Sequence, residues 1–119
     1  MKNTLIIGAT PNTDRYAYKA AERLTQAGHP IVLFGIKKGV VCGQTIINDW
    51  EDFQNIDTVT LYVGPVRQKD YIEKIISLKP KRVIFNPGTE NSEFQSRLRK
   101  AGVEYEEACT LELLSLNKY

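Results

Sequence analysis

Leu5-Ile6-Ile7-Gly8-Ala9-Thr10-Pro11-Asn12-Thr13-Asp14 is the stretch whose reading decides the fold. An apolar run stops at a glycine and gives way to turn formers and N-cap residues, the pattern of a strand that enters a helix through a tight loop. Downstream, Tyr16, Ala20, Leu24 and Ala27 recur at helical spacing, and Gly28 supplies a left-handed stop. Ile31-Val32-Leu33-Phe34 begins another strand at once. A strand, a helix and a strand joined this closely make a right-handed βαβ unit, whose two strands lie parallel.

The pattern continues outward. Thr58 to Val63 reads as a strand, and Val66 to Leu78 as a helix with Ile72, Ile75 and Ile76 on one face, ended by Lys79-Pro80. Arg82 to Phe85 resumes the sheet. Asn86-Pro87-Gly88 forms a turn, and Ser92 with Gln95 resembles a capping box for a helix marked by Phe94, Leu98 and Ala101 and stopped by Gly102. Val103 to Tyr105 is a last short strand. Thr45 to Ile47 is a further short strand, followed by a helical turn after Asn48-Asp49, and Thr110 to Leu116 is a terminal helix. Continuously apolar strands alternating with amphipathic helices predict a doubly wound, Rossmann-like α/β fold, a parallel sheet of about five strands covered on both faces. In such sheets ligands bind beyond the carboxyl ends of the strands, where the winding direction reverses. That directs attention to the loops Gly8 to Arg15, Gly35 to Gly39, Gly64 to Arg67 and Asn86 to Thr89.

Composition sets the outer bounds. The chain has 119 residues, 42% hydrophobic and 25% charged, which predicts one globular domain over residues 1–119. Sixteen basic and fourteen acidic side chains leave a net charge of +2, too little for a nucleic-acid binder that works by neutralising phosphates along a duplex. The longest apolar stretch runs from Ile31 to Ile36, far short of the roughly 20 residues of a membrane span. The opening Met1-Lys2-Asn3-Thr4 and the short run after it lack a signal peptide's features, so a soluble, cytoplasmic protein is expected. Cys42 and Cys109 have neither the spacing nor the histidines of a metal or redox motif. Each is read as a free thiol acting as a small buried hydrophobe.

The loops carry the functional signal. Gly8 stands where the chain turns sharply, and the helix that follows points its amides and partial positive charge back at the loop, a setting that favours phosphate. The dinucleotide fingerprint GxGxxG would need glycines at positions 10 and 13, where Thr10 and Thr13 stand. An NAD site also wants a carboxylate after the second strand, whereas Phe34-Gly35-Ile36 leads into Lys37-Lys38. A cation at that corner suits a phosphorylated ribose, as in NADP or coenzyme A. Each feature alone has a plain structural explanation: a turn glycine, a solvated loop, a β-turn. Together they fall on one edge of the sheet. Catalytic machinery is sparse: His29 belongs to the opposite edge, and Asp14, Arg15, Glu107 and Cys109 form no triad, carboxylate pair or metal set. Cys109 is read as core, with approach to a thiol ligand as the sharper alternative.

The segments Gly8-Ala9-Thr10-Pro11-Asn12, Arg15-Tyr16, Lys37, Thr58 to Val63, Lys79 to Asn91 and Glu107 to Thr110 resemble the small stand-alone CoA-binding proteins, a family similar to the N-terminal CoA-binding domain of the succinyl-CoA synthetase α subunit. The likeness spans nearly the whole chain, and Asn86-Pro87-Gly88-Thr89-Glu90-Asn91 is its most specific part. The resemblance implies that Thr10 to Thr13 with Arg15 meet the phosphates and that Lys37 or Lys38 meets the ribose phosphate. It further implies that Gly64-Pro65 and Asn86 to Gly88 serve the adenine and pantetheine regions. Ala9, Tyr16, Val63 and Cys109 complete the candidate set. The synthetase's phosphorylated histidine lies in a later domain, so ligase activity is not expected here. Gly35-Ile36 departs from the more polar, proline-containing turn of relatives, and the choice between the two lysines stays open.

The expected function is binding of coenzyme A or an acyl-CoA by a non-catalytic or regulatory module. The alternative is a small NADP-dependent oxidoreductase or other nucleotide-using enzyme of the same fold. A third reading is a protein-interaction domain with a relic pocket, accepting a mixed disulfide through Cys109. Leu111 to Leu116 would serve either a homodimer, another protein partner or burial against the sheet.

Overall fold

A computed structural model describes residues 1–119. The decisive βαβ unit forms β1 (Thr4–Ile7), α1 (Tyr16–Gln26) and β2 (Ile31–Phe34). After it come a small hairpin, β3 (Val40–Val41) and β4 (Gln44–Thr45), then β5 (Thr58–Leu61), α2 (Pro65–Gln68), α3 (Ile72–Ser77) and β6 (Arg82–Phe85). The chain closes with α4 (Ser92–Ala101), β7 (Glu104–Glu107) and α5 (Thr110–Ser115). The main sheet is parallel throughout, in the order β2-β1-β5-β6-β7, so the winding direction reverses between β1 and β5. This is the doubly wound, Rossmann-like α/β fold.

Alternation along the strands divides the core in two. Leu5, Ile7, Val59, Leu61, Val83 and Phe85 face the larger cluster with Ile72, Ile75, Phe94 and Leu98, while Ile6, Ile31 and Leu33 face Ala17, Ala21 and Leu24 of α1. Burying such side chains contributes about 1.5–3 kcal/mol each for the larger ones. The buried stripe of α1 is Ala17, Ala20, Ala21 and Leu24, whereas Tyr16 and Ala27, expected on it, are exposed at the two ends where the sheet no longer covers the helix. No helix is long and apolar enough to cross a membrane.

Several expected elements are redrawn by packing. The helix predicted over Val66 to Leu78 breaks at Lys69 to Tyr71, because the fully buried Gln68 side chain donates to Val63 O (2.9 Å) and Thr89 O (2.8 Å) and Tyr71 turns against Phe34. No helical turn forms after Asn48-Asp49. Instead Ile47 pairs with Phe34 along β2, and Trp50 and Phe53 pack edge-on against Phe34, which holds the segment extended. The short strand expected at Thr45 to Ile47 arrives one residue earlier as half of the hairpin. At α4 the N-cap is Asn91, whose Oδ1 accepts from Phe94 N at 3.2 Å. Gln95 of the expected box bonds Glu107 instead. The strand expected at Val103 to Tyr105 starts at Glu104 and continues through two more glutamates on the sheet's outer edge, where charged side chains reach water and discourage further pairing. Cys42 is not core: it is exposed at the hairpin tip with φ 52°, and Cys109 is only half-buried.

Candidate functional site

The loops beyond the carboxyl ends of β1 and β5 come together at the winding reversal. Gly8 leaves β1 at φ +95°, and a Cβ there would lie 2.9 Å from Val63 Cγ1 and 3.0 Å from the Tyr62 carbonyl group, so only glycine lets the two loops touch. Gly35 is needed in the same way, since a Cβ would meet Ala9 O at 2.6 Å. The Gly8 and Ala9 amides both donate to Phe34 O (2.8 and 3.0 Å), and Tyr62 N donates to Ile7 O (2.8 Å). These bonds fix the floor of a cleft of about 780 Å³, within the usual range of small-molecule sites.

From Thr10 to Asp14 the wall folds on its own side chains: Thr10 Oγ1 accepts from Asn12 N (3.2 Å) and Asn12 Oδ1 accepts from Asp14 N (3.0 Å). This turn delivers the start of α1 to the cleft. The cap, Arg15, gives no side-chain bond to the helix, no acidic residue stands in its first turn, and the amides of Thr13, Tyr16 and Ala17 donate to no acceptor in the protein. Of these, Tyr16 and Ala17 line the cleft, which therefore meets unpaired N–H donors at the positive end of a helix.

Arg15, Lys37 and Arg67 line the cleft with Asp14 as the only carboxylate. The molecule's ion pairs, Lys81 with Asp57, Arg82 with Glu106 and Arg97 with Glu73, involve none of these cations. Lys37 is presented by a braced loop: Asn48 Nδ2 donates to Gly35 O at 2.7 Å and Lys37 O at 2.8 Å. Apolar surface is supplied by Tyr16 and Ile36, 68% and 65% exposed. Lys19 Nζ stands 5.5 Å from the centroid of the Tyr16 ring, adding a further cation at the rim. Tyr62 completes a neutral wall; burial pushes its phenol up to about 12, opposed in part by the neighbouring Thr110 hydroxyl.

Of the residues named from the sequence, Gly8, Ala9, Thr10, Pro11, Asn12, Arg15, Tyr16, Lys37, Val63, Gly64, Pro87 and Gly88 line this cleft. Thr13, Lys38, Pro65, Asn86 and Cys109 do not. Asn86 lies beneath it, 2% exposed, with Nδ2 donating to Thr60 Oγ1 (2.6 Å) and Leu61 O (2.8 Å) and Oδ1 accepting from Thr110 N (2.9 Å). Cys109 is the half-buried N-cap residue of α5, close to Tyr62 of the cleft wall. Asp14, Ala17, Ile36, Tyr62, Arg67 and Thr89 line the cleft without having been placed in the candidate set. The signal for Arg67 was available: it follows Gly64-Pro65, in a loop already picked out by the fold. His29 lies at the opposite edge, where Pro30 O accepts from Thr4 N, as expected.

Fold and cleft together define a Rossmann-like α/β domain with a cationic crevice at its switch point. The chain belongs to the CoA binding domain family, whose model matches residues 2–114. A crystal structure of an uncharacterized protein, 54% identical, superposes with a TM-score of 0.98 over 100% of this chain and 98% of the other. A hypothetical protein from Pyrococcus horikoshii OT3 is 26% identical, with a TM-score of 0.84 over 93% of this chain and 80% of its own. Cell-free ID.343 from Thermus thermophilus, at 18% identity, shares the fold with a TM-score of 0.86 over 99% and 90%. No curated protein matches the chain.

Proposed function

We propose that the cleft between the β1 and β5 loops binds coenzyme A or an acyl-CoA, and that the protein acts as a binding module that presents or senses this cofactor. The observation that carries the reading is the convergence of unpaired amides at the start of α1 with cations that have no acidic partner, in a chain of the CoA binding domain family. Arg15 and the α1 amides hold the diphosphate. Lys37 holds the ribose phosphate, and the exposed faces of Tyr16 and Ile36 cover the adenine. The uncharged pantetheine follows the Tyr62 to Gly64 and Pro87 to Thr89 walls. The cleft offers one carboxylate and neither histidine nor cysteine, a poor set for acid–base or nucleophilic chemistry and an adequate one for holding polyanions.

Titration calorimetry with CoA, dephospho-CoA and NADPH tests this. CoA is expected to bind at micromolar concentration or below and more tightly than the other two; no heat with CoA sinks the proposal. Lys37→Ala should narrow the preference for CoA over dephospho-CoA by about tenfold, the loss of one charge-assisted hydrogen bond. An unchanged preference would move that role away from Lys37.

A further inference from the structure

Arg67 is the cation that the phosphates of the proposed ligand do not account for. It sits on α2, beyond β5, whereas Lys37 follows β2; in the order β2-β1-β5 this separates their strands by two spacings, about 10 Å. Arg67 lines the cleft, as do Pro87, Gly88 and Thr89; it is exposed and makes no ion pair.

Its backbone is rigidly placed. Arg67 N and Gln68 N both donate to Gly64 O at 3.1 Å. The buried Gln68 side chain bonds Val63 O and Thr89 O, and its Oε1 accepts from Asn91 Nδ2 at 2.8 Å. Gln68 thus ties the β5 loop to the β6 loop and to the cap of α4, and the adjacent Arg67 lines the cleft from a fixed turn.

We infer that Arg67 is a specificity-determining residue that pairs with a carboxylate on the acyl group, so that the preferred ligand class is the thioester of a dicarboxylic acid. This rests on the reading that CoA fills the cleft with its phosphates towards Lys37 and α1. Pantetheine carries no charge, so over that half of the ligand an unpaired guanidinium meets an anion only if the acyl chain brings one. A planar fork suits a carboxylate in two parallel bonds.

The test compares valeryl-CoA with glutaryl-CoA, equal in chain length and differing in a terminal methyl or carboxylate, alongside free CoA. In calorimetry the wild-type chain should prefer glutaryl-CoA by about tenfold or more. That ratio should collapse towards unity in Arg67→Gln and survive in part in Arg67→Lys, which keeps the charge and loses the fork. A wild-type ratio near unity overturns the inference, as does a ratio that survives Arg67→Gln. Equal weakening of all three ligands in Arg67→Gln overturns it by assigning Arg67 to the phosphates they share. If the wild-type chain binds none of the three, it is the reading of the cleft itself that fails.

Discussion

Asn86 uses every polar atom of its side-chain amide inside the protein, joining Thr60 and Leu61 of β5 to the first helical residue of α5. Thr60 Oγ1 and Thr110 Oγ1 close the network at 2.8 Å. Removing one partner from such a buried set leaves the others unsatisfied, at a cost of about 1–3 kcal/mol. Asn86→Ala should therefore lower the unfolding free energy by about that amount in a urea titration, with an unchanged slope; full stability coupled to lost CoA affinity would instead put Asn86 in direct contact with ligand. From the sequence, Asn86 was legible as a turn residue of the right loop. The direction of its side chain was not, because turn propensity describes the backbone and says nothing of what lies beneath it. The same holds for Lys37 and Lys38, neighbours in sequence of which Lys37 is the one in the lining of the cleft.

Elements were legible where apolar residues run continuously and were misjudged where a polar side chain reaches across the fold. The strands β1, β2 and β6 fall largely where apolar runs stand, since a strand buried on both faces favours apolar residues, while the central β5 alternates threonine with valine and leucine and has the buried Thr60 hydroxyl bonded to Asn86 and Thr110. The break between α2 and α3 depends on Gln68, and the extended path after Asn48 depends on Ile47 pairing with Phe34 and on Trp50 and Phe53 packing against that ring. Local spacing reveals neither, because Thr89 is distant along the chain from Gln68 and Phe34 from the segment packed on it. Asn48 also gives a prediction for its segment. Asn48→Ala should release the Gly35 to Lys38 loop, seen as faster amide exchange there, and should weaken CoA binding while costing only about 1 kcal/mol of stability. Exchange at the wild-type rate would show that the brace is not what orders the loop.

Across the whole molecule the two edges of the sheet have different work. At the edge opposite the cleft, Tyr119 is held by Thr4 Oγ1 (2.5 Å from its hydroxyl), by Lys2 Nζ (2.7 Å from its backbone oxygen) and by the Arg82 guanidinium 4.5 Å from its ring centroid. The His29 ring packs tilted against that ring, centroids 4.9 Å apart, and its Nδ1 accepts from the Lys2 amide at 3.0 Å. Burial, joined by nearby positive charge, lowers the His29 pKa below 6.5. The unfolded chain therefore takes up this proton first as the pH falls; the contribution of neutral His29 is complete above 6.5 and drains away as the pH drops through that value. The melting midpoint should fall between about pH 7.5 and about pH 5.5, and His29→Ala should flatten that slope. A slope kept intact in the variant would assign it to other groups.

The amino-acid sequence by itself determined the strand-and-helix order, the parallel sheet and the edge on which a cleft would open. Periodicity and glycine placement are local properties, and the topology of parallel strands leaves few ways to connect them. Only the tertiary structure brings Lys37 and Arg67 to the lining of the cleft and buries the Asn86 side chain between β5 and α5. Those outcomes depend on hydrogen bonds and packing between residues distant along the chain, which come within reach of one another only once the sheet has formed.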